Sequence, residues 1–320
     1  MIIVKSPFRI SLFGGSTDYK EFYEKYGSFL IGTTIDKYCY LSMRNRPSIL
    51  SKQYLCTYSK YELVDEISQI QNPLIRETLN YYKLNNPIEF FSFSDIPART
   101  GLGGSSSYCV GMCYLISKLC NIKTSNKDII KTAINIERNI LKESGGIQDQ
   151  IWPFAKGLSS IEIDGNGNFN IRPLPVTEEF ISEFEKSFTL IYTDEQRNTN
   201  DVAKSHENEI QNKLNILNLA KEAYSLFLKE DIKEIGNILY QSWLYKNNIS
   251  PLISNSKIDS IIKDVISLGA FGAKLLGSGG CGFILVISDS LVKQKIEEKY
   301  NGYTLNVNFE KTGVSEIFRN

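Results

Sequence analysis

A single histidine, His206, occurs in this chain of 320 residues. With one imidazole, and no C-x-x-C pair among Cys39, Cys56, Cys109, Cys113, Cys120 and Cys281, a zinc site is not expected. Net charge is lacking as well, since 36 Lys and Arg balance 36 Asp and Glu. That argues against a general nucleic-acid binder, whose footprint is a basic excess. No apolar run reaches the roughly 18 residues of a membrane helix, and the stretch 108–120 reads as core. Residues 1–9 lack the long apolar region and small-residue cleavage site of a signal peptide. The expectation is a cytoplasmic protein with reduced thiols and no membrane partner. Proline is scarce, at 9 residues, and aromatics make up 12%, which suits a folded enzyme better than a disordered chain. Neither internal repeats nor low-complexity tracts occur.

Glycine, by contrast, is concentrated where chemistry needs it. Pro97-Ala98-Arg99-Thr100-Gly101-Leu102-Gly103-Gly104-Ser105-Ser106-Ser107 is a glycine run that turns into serines and then into an apolar stretch. Glycines let the backbone approach a ligand, and free amides at a helix start make an anion site. The segment reads as a phosphate cradle opening a buried helix. It is not the common phosphate loop, because no lysine follows the glycines. Its charge compensation has to come from backbone dipoles, a metal and residues from elsewhere. A plain Gly/Ser linker is the bland alternative, disfavoured by the core segment that follows directly.

The first half mixes strands (2–12, 35–43, 54–64, 88–93) with helices (105–119, 126–143), Asn126 being a candidate N-cap and Gly145-Gly146 a stop. A hairpin over 160–172 turns at Asp164-Gly165-Asn166-Gly167. The second half reads as strand 188–192, helices 200–229, 232–243 and 256–268, strands 273–276 and 283–287, helix 290–300 and strand 304–309. It suggests an antiparallel sheet with helices on one side.

Other candidates are weak singly. Gly277-Ser278-Gly279-Gly280-Cys281-Gly282 fits G-x-G-x-x-G, but a β-type run follows where a dinucleotide fingerprint requires a helix. It reads as a tight strand–loop–strand turn whose glycines permit close approach to a ligand or another loop. Arg9 precedes Gly14-Gly15-Ser16-Thr17-Asp18, where Asp18 is either a site residue or the N-cap of a helix over 19–26. Glu137 lies mid-helix among isoleucines and needs a cation or a wet face. Asp149, in Gln148-Asp149-Gln150, is either functional or a turn residue.

In order along the chain, residues 7–18, 97–107, 146–150 and 273–282 resemble the motifs of the GHMP kinase superfamily. The resemblance is nearest to its branch acting on D-glycero-D-manno-heptose 7-phosphate, through Thr34-Ile35-Asp36-Lys37-Tyr38-Cys39-Tyr40, Tyr58-Ser59-Lys60 and Gln148-Asp149-Gln150. Galactokinases carry Gly-Glu-His-Thr-Asp where this chain has Gly14-Gly15-Ser16-Thr17-Asp18. Gly104 departs from the serine found in many members.

The resemblance implies an α+β, two-domain fold: a ribosomal protein S5 domain 2-like part over 1–165 and a ferredoxin-like part over 166–320. It implies an ATP-dependent sugar kinase, with Mg2+, ATP and a sugar phosphate as small-molecule partners, a homo-oligomer being compatible. Gly101, Leu102, Gly103, Gly104, Ser105, Ser106 and Ser107 would cradle the triphosphate. Ser105 and Glu137 match metal ligands, Asp149 the general base and Arg9 its cationic partner. Gly14, Gly15, Thr17, Asp18 and Gly279 match acceptor-side positions. Arg197 and Lys37 are candidates for the acceptor's own phosphate. The implied reaction is phosphorylation of the anomeric hydroxyl to a heptose 1,7-bisphosphate, on the route to nucleotide-activated heptose for capsule, lipopolysaccharide or S-layer. A fucokinase-like sugar 1-kinase and a non-catalytic sugar- and ATP-binding regulator are the rivals.

Overall fold

A computed structural model describes residues 1–50, 53–84, 86–195, 202 and 209–320. Two long antiparallel strands, β1 (Ile2–Phe13) and β2 (Ser28–Asn45), are joined through the short helix α1 (Lys20–Tyr26). β1 alternates between buried and half-buried residues at first, but every residue from Ser6 onward is buried. That half of the strand lies inside the molecule, and it carries Arg9 there.

The first sheet runs β12-β1-β2-β5-β3-β4, with β3 (Tyr54–Thr57), β4 (Tyr61–Val64), β5 (Ile88–Ser94) and β12 (Ser315–Arg319). β3 pairs in parallel with β5. β6 (Ser159–Ile163) joins the first part of β2, and β7 (Phe169–Pro173) extends it. The expected single strand over 54–64 is thus a hairpin, closed by the Tyr58 amide on the Lys60 carbonyl at 2.9 Å. α2 is Pro73–Tyr81, and α3 (Gly104–Leu119) lies across β1 and β2. That close crossing requires Gly111, where a Cβ would come 2.6 Å from Leu41 Cδ1.

α4 (Asn126–Ile134) is capped by Ser125 rather than the expected Asn126. The Ser125 hydroxyl accepts from the Asp128 amide, and Asp128 returns the bond. The helix then widens into a π-helical segment, Asn135–Ile140, and stops before the expected Glu143.

The second sheet is antiparallel and runs β11-β8-β10-β9, with β8 (Phe188–Tyr192), β9 (Gly272–Leu275), β10 (Phe283–Ile287) and β11 (Thr304–Leu305). Counted in chain order this is 4-1-3-2, the arrangement of a ferredoxin-like βαββαβ unit. α6 (Glu178–Lys186) leads into β8, α7 (Ile210–Leu228), α8 (Ile232–Asn247) and α9 (Ser256–Ser267) fill the first crossover, and α10 (Ser290–Lys299) the second. Of the expected helix 200–229, Val202 is helical and Ile210–Leu228 forms one helix; residues 196–201 and 203–208, with His206, lie outside the described residues. Strand 304–309 is shorter than expected.

The α+β, two-domain fold is therefore as anticipated. The first sheet nevertheless draws on both sides of residue 165: β7 and β12 lie beyond it. β12 carries only partly buried and exposed residues, so its short edge pattern gave no strand signal. Phenylalanines join the two layers. Phe227 of α7 meets Phe13 of β1 edge-on at 6.2 Å and Phe184 at 5.3 Å. Such pairs add about 0.5–1.5 kcal/mol each beyond area burial.

Candidate active site

The cradle lies between β5 and α3. Gly101 and Gly103 have φ of +79° and +76°, where a side chain would be strained. Gly103 caps α3, so the first amides of that 16-residue helix have no acceptor within it and face outward with the positive end of the dipole. The glycine loop at 277–282 braces the cradle from behind. A Cβ on Gly277 would come 2.5 Å from Gly101 Cα, and the Phe283 amide donates to the Thr100 carbonyl at 3.0 Å. The close approach expected of this loop is thus to another loop. Gly279 is placed against Ile253, whose Cα lies 2.8 Å from where its Cβ would be.

The cradle residues have different surroundings. Leu102 is buried, and its carbonyl accepts from the Arg9 amide at 3.0 Å. Gly104 lies under Phe8, whose Cε1 would be 2.7 Å from a Cβ, so serine is not accommodated there. Ser106 is buried and accepts from Gln150 Nε2 at 3.1 Å. The Ser107 hydroxyl is sealed in and donates to the Pro7 carbonyl at 2.7 Å. Among the three serines only Ser105 is exposed.

Arg9 and Asp149 meet beside this loop. Arg9 Nε donates to Asp149 Oδ1 at 2.9 Å and Nη2 to Oδ2 at 3.0 Å, while Nη1 reaches the Gly101 carbonyl at 2.6 Å. The bidentate fork fixes the carboxylate plane. Arg9 is 4% exposed and the Asp149 side chain 28%, so the open face of the pair is the carboxylate. Asp149 lies in the short helix α5 (Gln148–Ile151).

Glu137 is fully buried, not on a wet face. The π-helical turn holds it inside, where its Oε1 accepts from the Ser105 hydroxyl at 3.4 Å and its Oε2 from Gln150 Nε2. Burial pushes its carboxyl above the usual carboxylate range, with Arg138 opposing. Gln150 Oε1 is buried there with no hydrogen-bond partner among the described residues. A buried carboxylate, an exposed hydroxyl and an orphaned amide oxygen are hard oxygen donors of the kind Mg2+ takes.

The turn at 14–18 lies next to α5. Asp18 caps no helix: Tyr19 holds the N-cap position of α1 without a side-chain cap. Both Asp18 oxygens instead accept from Gln148, Oδ2 from its amide at 3.1 Å and Oδ1 from Nε2 at 2.9 Å. Gln148 Oε1 in turn accepts from Ser11 Oγ at 2.8 Å and Trp152 Nε1 at 3.2 Å. Desolvation raises the pKa of Asp18. The Thr17 hydroxyl, also buried, donates to the Gly14 carbonyl at 2.7 Å and shares a bond with Ser28 Oγ at 2.6 Å. Gly14 has φ +80° in the same turn, and Gly15 packs near Ser11 and Gln148.

Two buried lysines beside these loops received no role from sequence reasoning: Lys246 sits near a helix end, and Lys274 lies inside the 273–282 motif but in a β-type strand. Lys246 donates to the Gly277 carbonyl, and Lys274 to the carbonyls of Ser11 at 3.2 Å and Leu12 at 2.7 Å. Lys37 is paired with Asp36 at 3.1 Å, and Arg197 lies outside the described residues. Arg9, Asp149, Glu137, Gln148, Gln150, Ser105 and the cradle thus converge.

A family model described as GHMP kinases N terminal domain matches residues 69–157, and one described as GHMP kinases C terminal matches 223–302. Together they cover just over half of the chain. The chain is 28% identical to the D-glycero-alpha-D-manno-heptose 7-phosphate kinase of Campylobacter jejuni over 98% of each chain. It is 24% identical to the mevalonate kinase of Saccharolobus solfataricus, again over 98% of each. The fold matches the crystal structure of a D-glycero-D-manno-heptose 1-phosphate kinase from Bacteriodes thetaiotaomicron with a TM-score of 0.82 at 21% identity, covering all of both chains. With both terminal family domains present in order, and the cradle and its bracing loop falling where those domains meet, the chain belongs to the GHMP kinase family.

Proposed function

We propose that this enzyme, an ATP-dependent sugar kinase, transfers the γ-phosphoryl group of ATP to the anomeric hydroxyl of D-glycero-D-manno-heptose 7-phosphate. The product would be the 1,7-bisphosphate, a precursor for nucleotide-activated heptose. The observation that carries the reading is the bidentate Arg9–Asp149 pair open beside the glycine cradle. Identity to the Campylobacter jejuni kinase along nearly the whole of both chains supports the acceptor.

Phosphoryl transfer needs positioning and charge stabilisation more than covalent chemistry. The amides opening α3 hold the phosphates. Asp149 accepts the proton of the acceptor hydroxyl, and the Arg9 fork keeps its carboxylate aimed. Ser105 and Glu137, with the orphaned Gln150 Oε1 near them, would hold Mg2+. Bound there, the ion supplies compensation for the charge of the transferring phosphates. Asp18 anchors Gln148, which sets the backbone of Asp149 beside the acceptor-side turn 14–18.

The test is a coupled ADP-release assay with Mg-ATP against D-glycero-D-manno-heptose 7-phosphate, fucose, galactose and mannose. Turnover confined to the heptose phosphate is the expected result. Turnover with free fucose in its place would reassign the acceptor and keep the kinase.

A further inference from the structure

Lys246 stands near the C-terminal end of α8, in the domain opposite Arg9. It is 6% exposed, and its Nζ donates to the Gly277 carbonyl. No second acceptor for it occurs among the described residues. An ammonium carries three donors, so two go unused in a place largely closed to water. Gly277 rests on Gly101, and the Gly101 carbonyl takes Arg9 Nη1 at 2.6 Å. Two cations therefore reach the same glycine contact from the two domains.

The carboxylates nearby do not neutralise Lys246. Asp149 is engaged by Arg9, and Asp18 by Gln148; neither forms an ion pair with the lysine. Burial first, and the Arg9 charge second, hold the Lys246 ammonium down to about 8, against the pull of Asp18 and Asp149. Like charges buried together are costly without an anion between them. Lys274 differs, since two backbone carbonyls accept from it and it straps β9 to β1.

We propose that Lys246 is a phosphoryl-binding residue that, with Arg9, clasps a phosphate group where the two glycine loops meet. It supplies the lysine that the segment Gly101–Ser107 lacks, from the other domain. Two phosphates offer this chemistry: the γ-phosphoryl of ATP, and the phosphate on the acceptor. The second source rests on the acceptor proposed above; the first does not.

Lys246→Met in the full chain separates the sources. Calorimetry compares binding of a non-hydrolysable ATP analogue and of ADP, each with Mg2+. Steady-state assays compare KM for the heptose with and without its 7-phosphate. The expected result is a selective loss of about 10–100-fold, the size of a charge-assisted hydrogen bond. It falls on the ATP analogue but not ADP if the γ-phosphoryl is clasped, and on KM for the phosphorylated sugar alone if the acceptor is. Lys246→Gln, polar but uncharged, is expected to show the same selectivity if the Met variant does not fold. Wild-type values in both arms would overturn the proposal. An equal loss for every ligand, with a lowered melting temperature, would mark a structural lysine and overturn it as well.

Discussion

Arg9 donates to both oxygens of Asp149, so the carboxylate is fixed in plane and offers its free lone pairs in one direction. With Asp149 as the proposed base, Asp149→Asn is expected to lower kcat by roughly 10²–10⁴-fold, the worth of positioned proton transfer. A loss under tenfold in a folded variant would remove the proton-accepting role and leave positioning. Glu137 carries an opposite liability. Its carboxyl is raised by burial, so the folded protein holds more protons than the unfolded chain between the ordinary carboxylate value and the raised one. Stability therefore falls as pH rises across that window. Without Mg2+, Glu137→Gln is expected to raise the melting temperature more at pH 8 than at pH 5 while abolishing turnover, the usual conflict between stability and function. Calorimetric melts at the two pH values check it. At this scale Arg9, Glu137 and Ser105 stood out because each broke a pattern: a charge in an apolar strand, a carboxylate among isoleucines, a serine after glycines; Asp149, in a glycine-led loop, stood out only through the family resemblance. Lys246 broke none, since a lysine near the end of a helix ordinarily faces water.

Elements carry a second layer of constraint. The π-helical turn over Asn135–Ile140 brings both Glu137 and Arg138 to the site, and Arg138 Nη2 donates to the Gly146 carbonyl at 2.8 Å. Such insertions commonly mark functional positions in helices, and sequence periodicity does not reveal them because the apolar pattern continues through. Gly146 itself is pinned from the other side. A Cβ there collides with Asp18 Oδ2 and lies 2.8 Å from the Asp18 carbonyl oxygen. Gly146→Ala must push the Asp18–Gln148 clamp apart. It is expected to cost about 1–3 kcal/mol, as overpacking does, and to lower kcat more than tenfold through the displaced Asp149. An activity and stability equal to wild type would show the clamp to be loose. The glycine loops were readable as tight, but their mutual contact was not, because local sequence does not encode which loop meets which.

For the whole molecule, the two sheets are bound by the phenylalanine cluster and by Lys274, which reaches from β9 to the carbonyls of Ser11 and Leu12. Lys274→Met fills the volume but leaves those carbonyls without that donor. A loss of about 1–3 kcal/mol follows from unsatisfied buried acceptors, seen as a melting temperature lowered by several degrees; an unchanged melt would mean the strap is redundant. The antiparallel second sheet was legible in the strand and helix pattern and its ferredoxin-like form was implied by the family resemblance, whereas the return of β12 to β1 was not foreseen, being a long-range pairing of a short, exposed segment. That return has a consequence for synthesis. β1 and β2 leave the ribosome early, yet β1 keeps an open edge until residues 315–319 have been made. Throughout translation the growing chain thus displays an unpaired strand, the kind of edge on which neighbouring polypeptides aggregate, and the first sheet begun is the last one closed.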